Sequence, residues 1–174
     1  TALCLKAAQS REPFSHKGKY WTFNNIVVEP QSFRRPHPAV WMGAGNERSI
    51  RDVARRGFNL LLGQYSSPAD VAKNIAIFRD AVEAKGEQWN PLRVGVTRAF
   101  FVTEDARERE QALERRLANR LRQLKLATTP DGRILGGPDR VDGDPVEINL
   151  ASAIYGPPDE IARKIEDLRD AGAE

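Results

Sequence analysis

The sequence predicts an α/β protein in which βα units surround a parallel sheet. Three observations predict it. From Ala39 onward, short apolar runs alternate with longer segments of helical period; the runs stop at glycine or turn residues; and the helical segments open on capping residues. With 40% apolar and 29% charged side chains over 174 residues, the chain has the composition of an ordinary globular protein. Its 13 Gly and 11 Pro are too few for a low-complexity chain.

Each element has a local cause. The first 38 residues differ in texture: Lys17-Gly18-Lys19 is a turn signal, and Tyr20-Trp-Thr-Phe23 and Asn25-Ile-Val-Val28 are short β-prone pieces, so a hairpin-like excursion leads into the first βα unit. Ala39-Val-Trp-Met-Gly43 follows Pro36 and Pro38 and ends on glycine, which fits a buried strand. Asn46 then caps a helix over 47–56, with Ile50, Val53 and Ala54 on its buried stripe and Gly57 closing it. Phe58-Asn-Leu-Leu-Leu62 is the next strand. Ser67-Pro-Ala-Asp70 supplies a hydroxyl cap, proline at the first helical position and a carboxylate at the positive helix end, and Val71, Ile75, Phe78 and Val82 mark one face up to Gly86.

Leu92 to Val102 is a β-rich run with partial alternation, after which Thr103, Glu104 and Asp105 open another helix carrying Leu113, Leu117, Leu121 and Leu124 on one side. From about Thr128 to Asn149 the pattern lapses into Pro, Gly and Asp, an excursion from the regular units. Pro157-Pro-Asp-Glu160 starts the last helix, with Ile161, Ile165 and Leu168 as its stripe up to Gly172, and a further strand is expected beyond Glu174. No fixed-period repeat is present, which excludes solenoids and propellers.

Charge and cysteine content narrow the function classes. The net charge is +3, from 27 basic and 24 acidic residues, but acids and bases interleave, as in Asp105-Ala-Arg-Glu-Arg-Glu110. That is the pattern of a solvated helix face, and no nucleic-acid partner is expected. No apolar run reaches the about 20 residues that span a bilayer, the first residues lack a signal-peptide pattern, and the chain opens on Thr1 without Met. The single Cys4 cannot form an internal disulfide and has no metal-ligating companions, so a cytoplasmic setting without a metal is expected.

The segment best built to bind something is Val40-Trp-Met-Gly-Ala-Gly-Asn46, a strand passing through two glycines into a capped helix. Glycine permits close approach of a ligand, and first-turn N–H groups point at any phosphate placed there, with Asn46 and Ser49 as side-chain donors. The spacing matches neither GxGxxG nor a Walker loop, since the next glycine is Gly57, and a plain tight βα turn is the competing reading. Gln64, Tyr65 and Ser66 follow a strand, where βα loops gather ligands. Other candidates are better explained structurally. His16 and His37 read as loop residues, and Asp159 and Glu160 stabilise a helix first turn. The arginines of 104–126 read as the solvated face of an amphipathic helix. No Ser/His/Asp set or activated Cys can be assembled.

The order of motifs resembles the C-terminal half of the luciferase-like flavin-dependent monooxygenases. The matching pieces are Phe14-Ser-His-Lys-Gly-Lys-Tyr20, Val28-Glu-Pro30, Arg35-Pro-His-Pro38, Val40-Trp-Met-Gly-Ala-Gly45, Ala54-Arg-Arg-Gly57, Tyr155-Gly-Pro-Pro-Asp-Glu160 and Ala171-Gly-Ala173. The resemblance implies a (β/α)8 TIM barrel using reduced FMN and O2, or in sister groups the deazaflavin F420. It implies that residues 1–174 form the C-terminal part of a single barrel domain, with the excursion at about 128–149. It also places cofactor-phosphate binding on Gly43, Ala44, Gly45, Asn46 and Ser49. A complete barrel needs about 250 residues, and the family's early strands, where the reactive side chains are expected, have no counterpart here.

The expectation is therefore a flavin-dependent monooxygenase that oxygenates a small organic substrate, served by a flavin reductase or other reduced-flavin source and assembled as a homo-oligomer. This chain would supply the cofactor-phosphate side and be inactive alone. The alternatives are a non-catalytic or degenerate flavin-binding paralogue or subunit, an F420-dependent oxidoreductase of the same superfamily, and an open doubly wound α/β binding domain.

Overall fold

The computed structural model describes residues 3, 5, 9–35, 37–131 and 143–174; Cys4 and Pro36 lie outside them. The chain divides into two units, Thr1–Val40 and Trp41–Glu174. In the first, β1 (Phe14–Lys17) and β2 (Thr22–Ile26) pair antiparallel. The expected turn is present, with the Gly18 N–H donating to the Trp21 carbonyl at 2.9 Å. A Cβ on Gly18 would stand 2.5 Å from His16 Nε2 and 3.2 Å from the Trp21 carbonyl oxygen, so a larger residue there would have to displace the imidazole. His16 is a strand residue and not a loop residue. It lies in register with Phe23 on the more covered side of β1, while Ser15 and Lys17 face outward.

In the second unit, β3 (Trp41–Gly43), β4 (Asn59–Leu62) and β5 (Val94–Val96) form a parallel sheet in that order, and β6 (Phe100–Val102) pairs parallel with β7 (Ile154–Gly156). Helix α1 (Glu47–Arg55) joins β3 to β4 and α2 (Pro68–Glu83) joins β4 to β5. Helices α3 (Ala106–Ala127) and α4 (Pro145–Ser152) lie between β6 and β7, and α5 (Pro158–Asp170) follows. Parallel strands with helical crossovers are the repeating unit of an α/β fold and are consistent with a partial barrel of the (β/α)8 type.

The expected run Leu92–Val102 is not one strand but two, with a 3-10 turn before them. Pro91 lacks a ladder donor and the Asn90 side chain accepts from the Leu92 N–H, so the run begins as the turn Pro91–Arg93. The extended stretch then changes partner. The Thr97 N–H still donates to the Leu62 carbonyl at 3.1 Å, whereas the Ala99 carbonyl accepts from the Ile154 N–H at 3.0 Å. Arg98 sits at the handover.

The core lies between helices and sheet. The stripes Ile50, Val53, Ala54 of α1 and Val71, Ile75, Phe78, Val82 of α2 are buried, as are Leu60 and Leu62 of β4. The period of two puts Leu61 on the opposite face, where Trp41 and Leu61 flank Gly95. A Cβ on Gly95 would meet Leu61 Cδ1 at 3.1 Å and Trp41 Cζ3 at 3.2 Å.

Three expectations change in the second half. The excursion ends earlier than its sequence texture indicates, because the Asp144 carboxylate accepts from the Val146 N–H at 3.0 Å and Pro145 takes the first helical position of α4; its portion 132–142 lies outside the described residues. On α3 the deepest side chains are Ala112, Arg116 and Arg120, while Leu121 of the expected apolar stripe is 48% exposed. On α5 Ile161 is buried but Ile165 is exposed.

Candidate functional site

The turn from β3 into α1 is held by specific bonds. Gly43 ends the strand opposite Leu61, and the buried Ala44 extends the ladder by donating its N–H to the Leu61 carbonyl at 3.2 Å. Asn46 is the N-cap: its Oδ1 accepts from the Ser49 N–H at 3.0 Å, and the Ser49 hydroxyl donates to the Asn46 carbonyl at 2.9 Å. All five candidate residues are thus in one turn, but with different duties. Ala44 and Ser49 spend their polar groups on the turn itself. Gly43 and Gly45 are not at positive φ, so what they offer a ligand is the missing Cβ.

This helix start differs from the others in its charge. The capping box is neutral, Asn46 with Ser49, whereas α2 carries a carboxylate in its box, Ser67 with Asp70, and α3 and α4 are capped by Asp105 and Asp144. The N–H groups of Glu47 and Arg48 stand in the first turn, where no intrahelical acceptor exists. The acid in that turn, Glu47, is drawn to Arg51 at 2.9 Å. Beside it runs an open groove of about 620 Å³ lined by Asn46, Arg48, Ser49 and further residues of α1. In its far half Arg55 and Arg56 both pair with Asp52 and hold that carboxyl below its ordinary value.

A second assembly lies beyond the carboxyl end of β4, in the loop 63–66. Tyr65 is buried, and the guanidinium groups of Arg116 and Arg120 lie 4.7 Å and 4.1 Å from its ring centroid. Arg116, 7% exposed, also donates to the Asn149 carbonyl at 2.8 Å, to Asn149 Oδ1 and to the Ser152 hydroxyl at 3.0 Å, which ties the loop to α4. Arg98 closes the other side by donating to the carbonyls of Gly63 at 3.0 Å and Ser66 at 2.7 Å. Burial pushes both Arg98 and Arg116 below the ordinary arginine value; Arg116 adds to this at Arg98, while at Arg116 the two tyrosines Tyr65 and Tyr155 oppose it and Arg120 reinforces it.

The expectation of a wholly solvated arginine face on α3 is thus overturned at Arg116 and Arg120. Ala112, Arg116 and Arg120 recur every four residues, the spacing of a buried stripe. It lies one residue out of phase with the leucines, so pattern alone could not choose between them.

The remaining candidates have local partners. The Nδ1 of His37 is 2.7 Å from the Pro38 carbonyl. Asp159 and Glu160 lie in the first turn of α5, and Glu160 also pairs with Arg109 at 2.6 Å and Lys164 at 3.1 Å. Among the described residues no group of three or more His, Cys, Asp or Glu is placed to hold a metal ion, and no helix is long and apolar enough to cross a membrane.

Parallel βα units with polar loops beyond the carboxyl ends of the strands are the layout of a barrel-type chain. Comparison with known proteins makes this specific. The family model described as luciferase-like monooxygenase matches residues 1–174, and the chain belongs to that family. It is 28% identical over 109 residues to an FMNH2-dependent dimethylsulfone monooxygenase of Pseudomonas putida, a match covering 63% of this chain and 29% of that protein. Among solved structures it resembles monooxygenase RslO1 from Streptomyces bottropensis, with a TM-score of 0.70 and 21% identity over 99% of this chain and 49% of the other. It also resembles the oxygenating constituent of 3,6-diketocamphane monooxygenase from Pseudomonas putida, in complex with FMN, with a TM-score of 0.60 and 21% identity over 96% of this chain and 50% of the other. An F420-dependent secondary alcohol dehydrogenase matches with a TM-score of 0.61 and 16% identity, over 98% of this chain and 52% of the other. The chain spans about half the length of these solved structures.

Proposed function

We propose that the whole protein is a flavin-dependent monooxygenase acting on a small organic substrate, and that this chain supplies the side of the barrel that holds the cofactor phosphate. Reduced FMN, when bound, supplies the two electrons with which O2 is split between the substrate, which gains one oxygen atom, and water. A flavin reductase or other source of reduced flavin is the partner this chemistry requires.

The observation that carries the reading is the neutral cap at the β3–α1 turn. In it Gly43 and Gly45 leave space for the phosphate, Ala44 fixes the turn to the sheet, and Asn46 and Ser49 set its shape. The N–H groups of Glu47 and Arg48 and the Asn46 amide are the donors. The positive helix end and the guanidinium of Arg48 match the phosphate charge. The likeness to an F420-dependent dehydrogenase supports a second reading, in which the same turn takes the phosphate of F420 and the reaction is hydride transfer without O2.

Titration of the whole protein with FMN and with F420, each against a Gly45→Val, Asn46→Ala variant, tests both. The preferred cofactor should lose at least about tenfold in affinity, since a charge-assisted bond and the open space are removed together. Unchanged affinity in the variant would remove the site assignment, and tight binding of F420 alone would favour the second reading.

A further inference from the structure

We propose that Arg98 and Arg116 are positioning residues that clamp the loop 63–66, and that Gln64 is the side chain this clamped loop presents to a bound ligand. The ligand-facing part rests on the flavin-barrel reading above; the clamp stands on geometry alone.

Arg116 has the burial of a functional arginine and the bonding of a structural one. It is 7% exposed, two of its nitrogens are spent on Asn149 and Ser152, its face lies on Tyr65, and its Nε is buried without a partner. No ion pair to a carboxylate is found for it among the described residues. An enclosed guanidinium whose two terminal nitrogens are already bonded to protein acceptors is not arranged to receive a substrate anion, and burying it without a carboxylate partner is unfavourable. What it accomplishes is to join three elements: α3, which bears it, α4, and the loop through Tyr65.

Arg98 does the same from the strand side. The change of partner between Thr97 and Ala99 places its guanidinium over the loop, where one nitrogen bonds the Gly63 carbonyl and the other the Ser66 carbonyl. The two carbonyls bracket Gln64 and Tyr65. With the backbone bound at both ends and Tyr65 pinned in the middle, Gln64 is held between fixed points. It is half-buried, and no hydrogen bond of its side-chain amide is found among the described residues. An amide that both donates and accepts, beyond the carboxyl end of a barrel strand, suits a carbonyl, hydroxyl or ring nitrogen of a neutral polar group. Preorganised support of this kind is what a binding side chain on a loop needs.

The test uses the whole protein with Arg116→Met, Arg98→Met, Tyr65→Leu and Gln64→Ala. Amide hydrogen exchange in 63–67 should accelerate about tenfold in each of the first three and not in Gln64→Ala, with the helix α1 amides unchanged. Should Arg116→Met fail to fold, Tyr65→Leu and Arg98→Met carry the same comparison. Gln64→Ala should raise KM for the organic substrate or weaken FMN binding at least fivefold while the unfolding midpoint holds. Unchanged exchange in the arginine variants overturns the clamp whether or not the protein binds flavin. Accelerated exchange with ligand binding and KM untouched in Gln64→Ala overturns the role of Gln64 and leaves the flavin reading intact. A wild-type protein that binds no flavin or F420 refutes that reading and with it the role of Gln64, while the exchange result decides the clamp separately.

Discussion

Replacing Glu160 by Gln isolates the charge that ties α3 to α5. One carboxylate oxygen of Glu160 receives Arg109 at 2.6 Å and Lys164 at 3.1 Å, and its side chain is 24% exposed. Burial pushes this carboxyl up, but the Lys164 hydrogen bond and the charges of Lys164 and Arg109 outweigh it and hold the group below its ordinary value. Gln keeps the shape and one acceptor oxygen, so the loss is confined to charge. A fully buried charge-assisted bond contributes about 1.5–3 kcal/mol; with all three partners partly in water, about 1 kcal/mol for the network is the appropriate scale. Because the folded value is depressed, this stability is fully present above the unfolded glutamate value of about 4.3 and is lost as pH falls through the folded value. Urea unfolding of wild type and Glu160→Gln at pH 7 should therefore show midpoints separated by about 0.5 M, with the gap closing progressively below pH 4. A gap of constant size at every pH, or none at pH 7, would refute the reasoning.

Two further outcomes follow from the same structure. Phe78, fully buried on α2 with Trp89 at 6.1 Å and the Arg93 guanidinium at 5.5 Å from its ring, should cost about 3–5 kcal/mol when cut to Ala, read as a lower denaturation midpoint; a loss under about 1 kcal/mol contradicts its place in the core. Asn46→Asp keeps a good N-cap, so the melting temperature should hold. It puts a carboxylate at the proposed phosphate turn, so FMN affinity should fall about tenfold, and equal affinity in a titration would count against that site.

What the sequence determined by itself is the local grammar. Asn46, Ser67 and Asp105 mark helix starts because a cap bonds N–H groups two or three residues away, and Gly57 and Gly86 mark ends because their φ values of +72° and +79° suit residues without a Cβ. The stripes Ile50, Val53, Ala54 and Val71, Ile75, Phe78, Val82 were legible for the same reason, as was the turn 43–46, whose donors are all supplied within one helical turn. The tertiary structure decided what depends on distant partners. The division of Leu92–Val102 into β5 and β6 follows from Leu62 on one side and Ile154 on the other. The burial of Arg116 and Arg120 in preference to Leu121 follows from Tyr65, an aromatic face delivered by a loop after another strand. Apolar pattern ranks leucine above arginine at a buried position; a guanidinium stacked on an aromatic ring and bonded to buried acceptors reverses that ranking, and only the fold brings those acceptors to it.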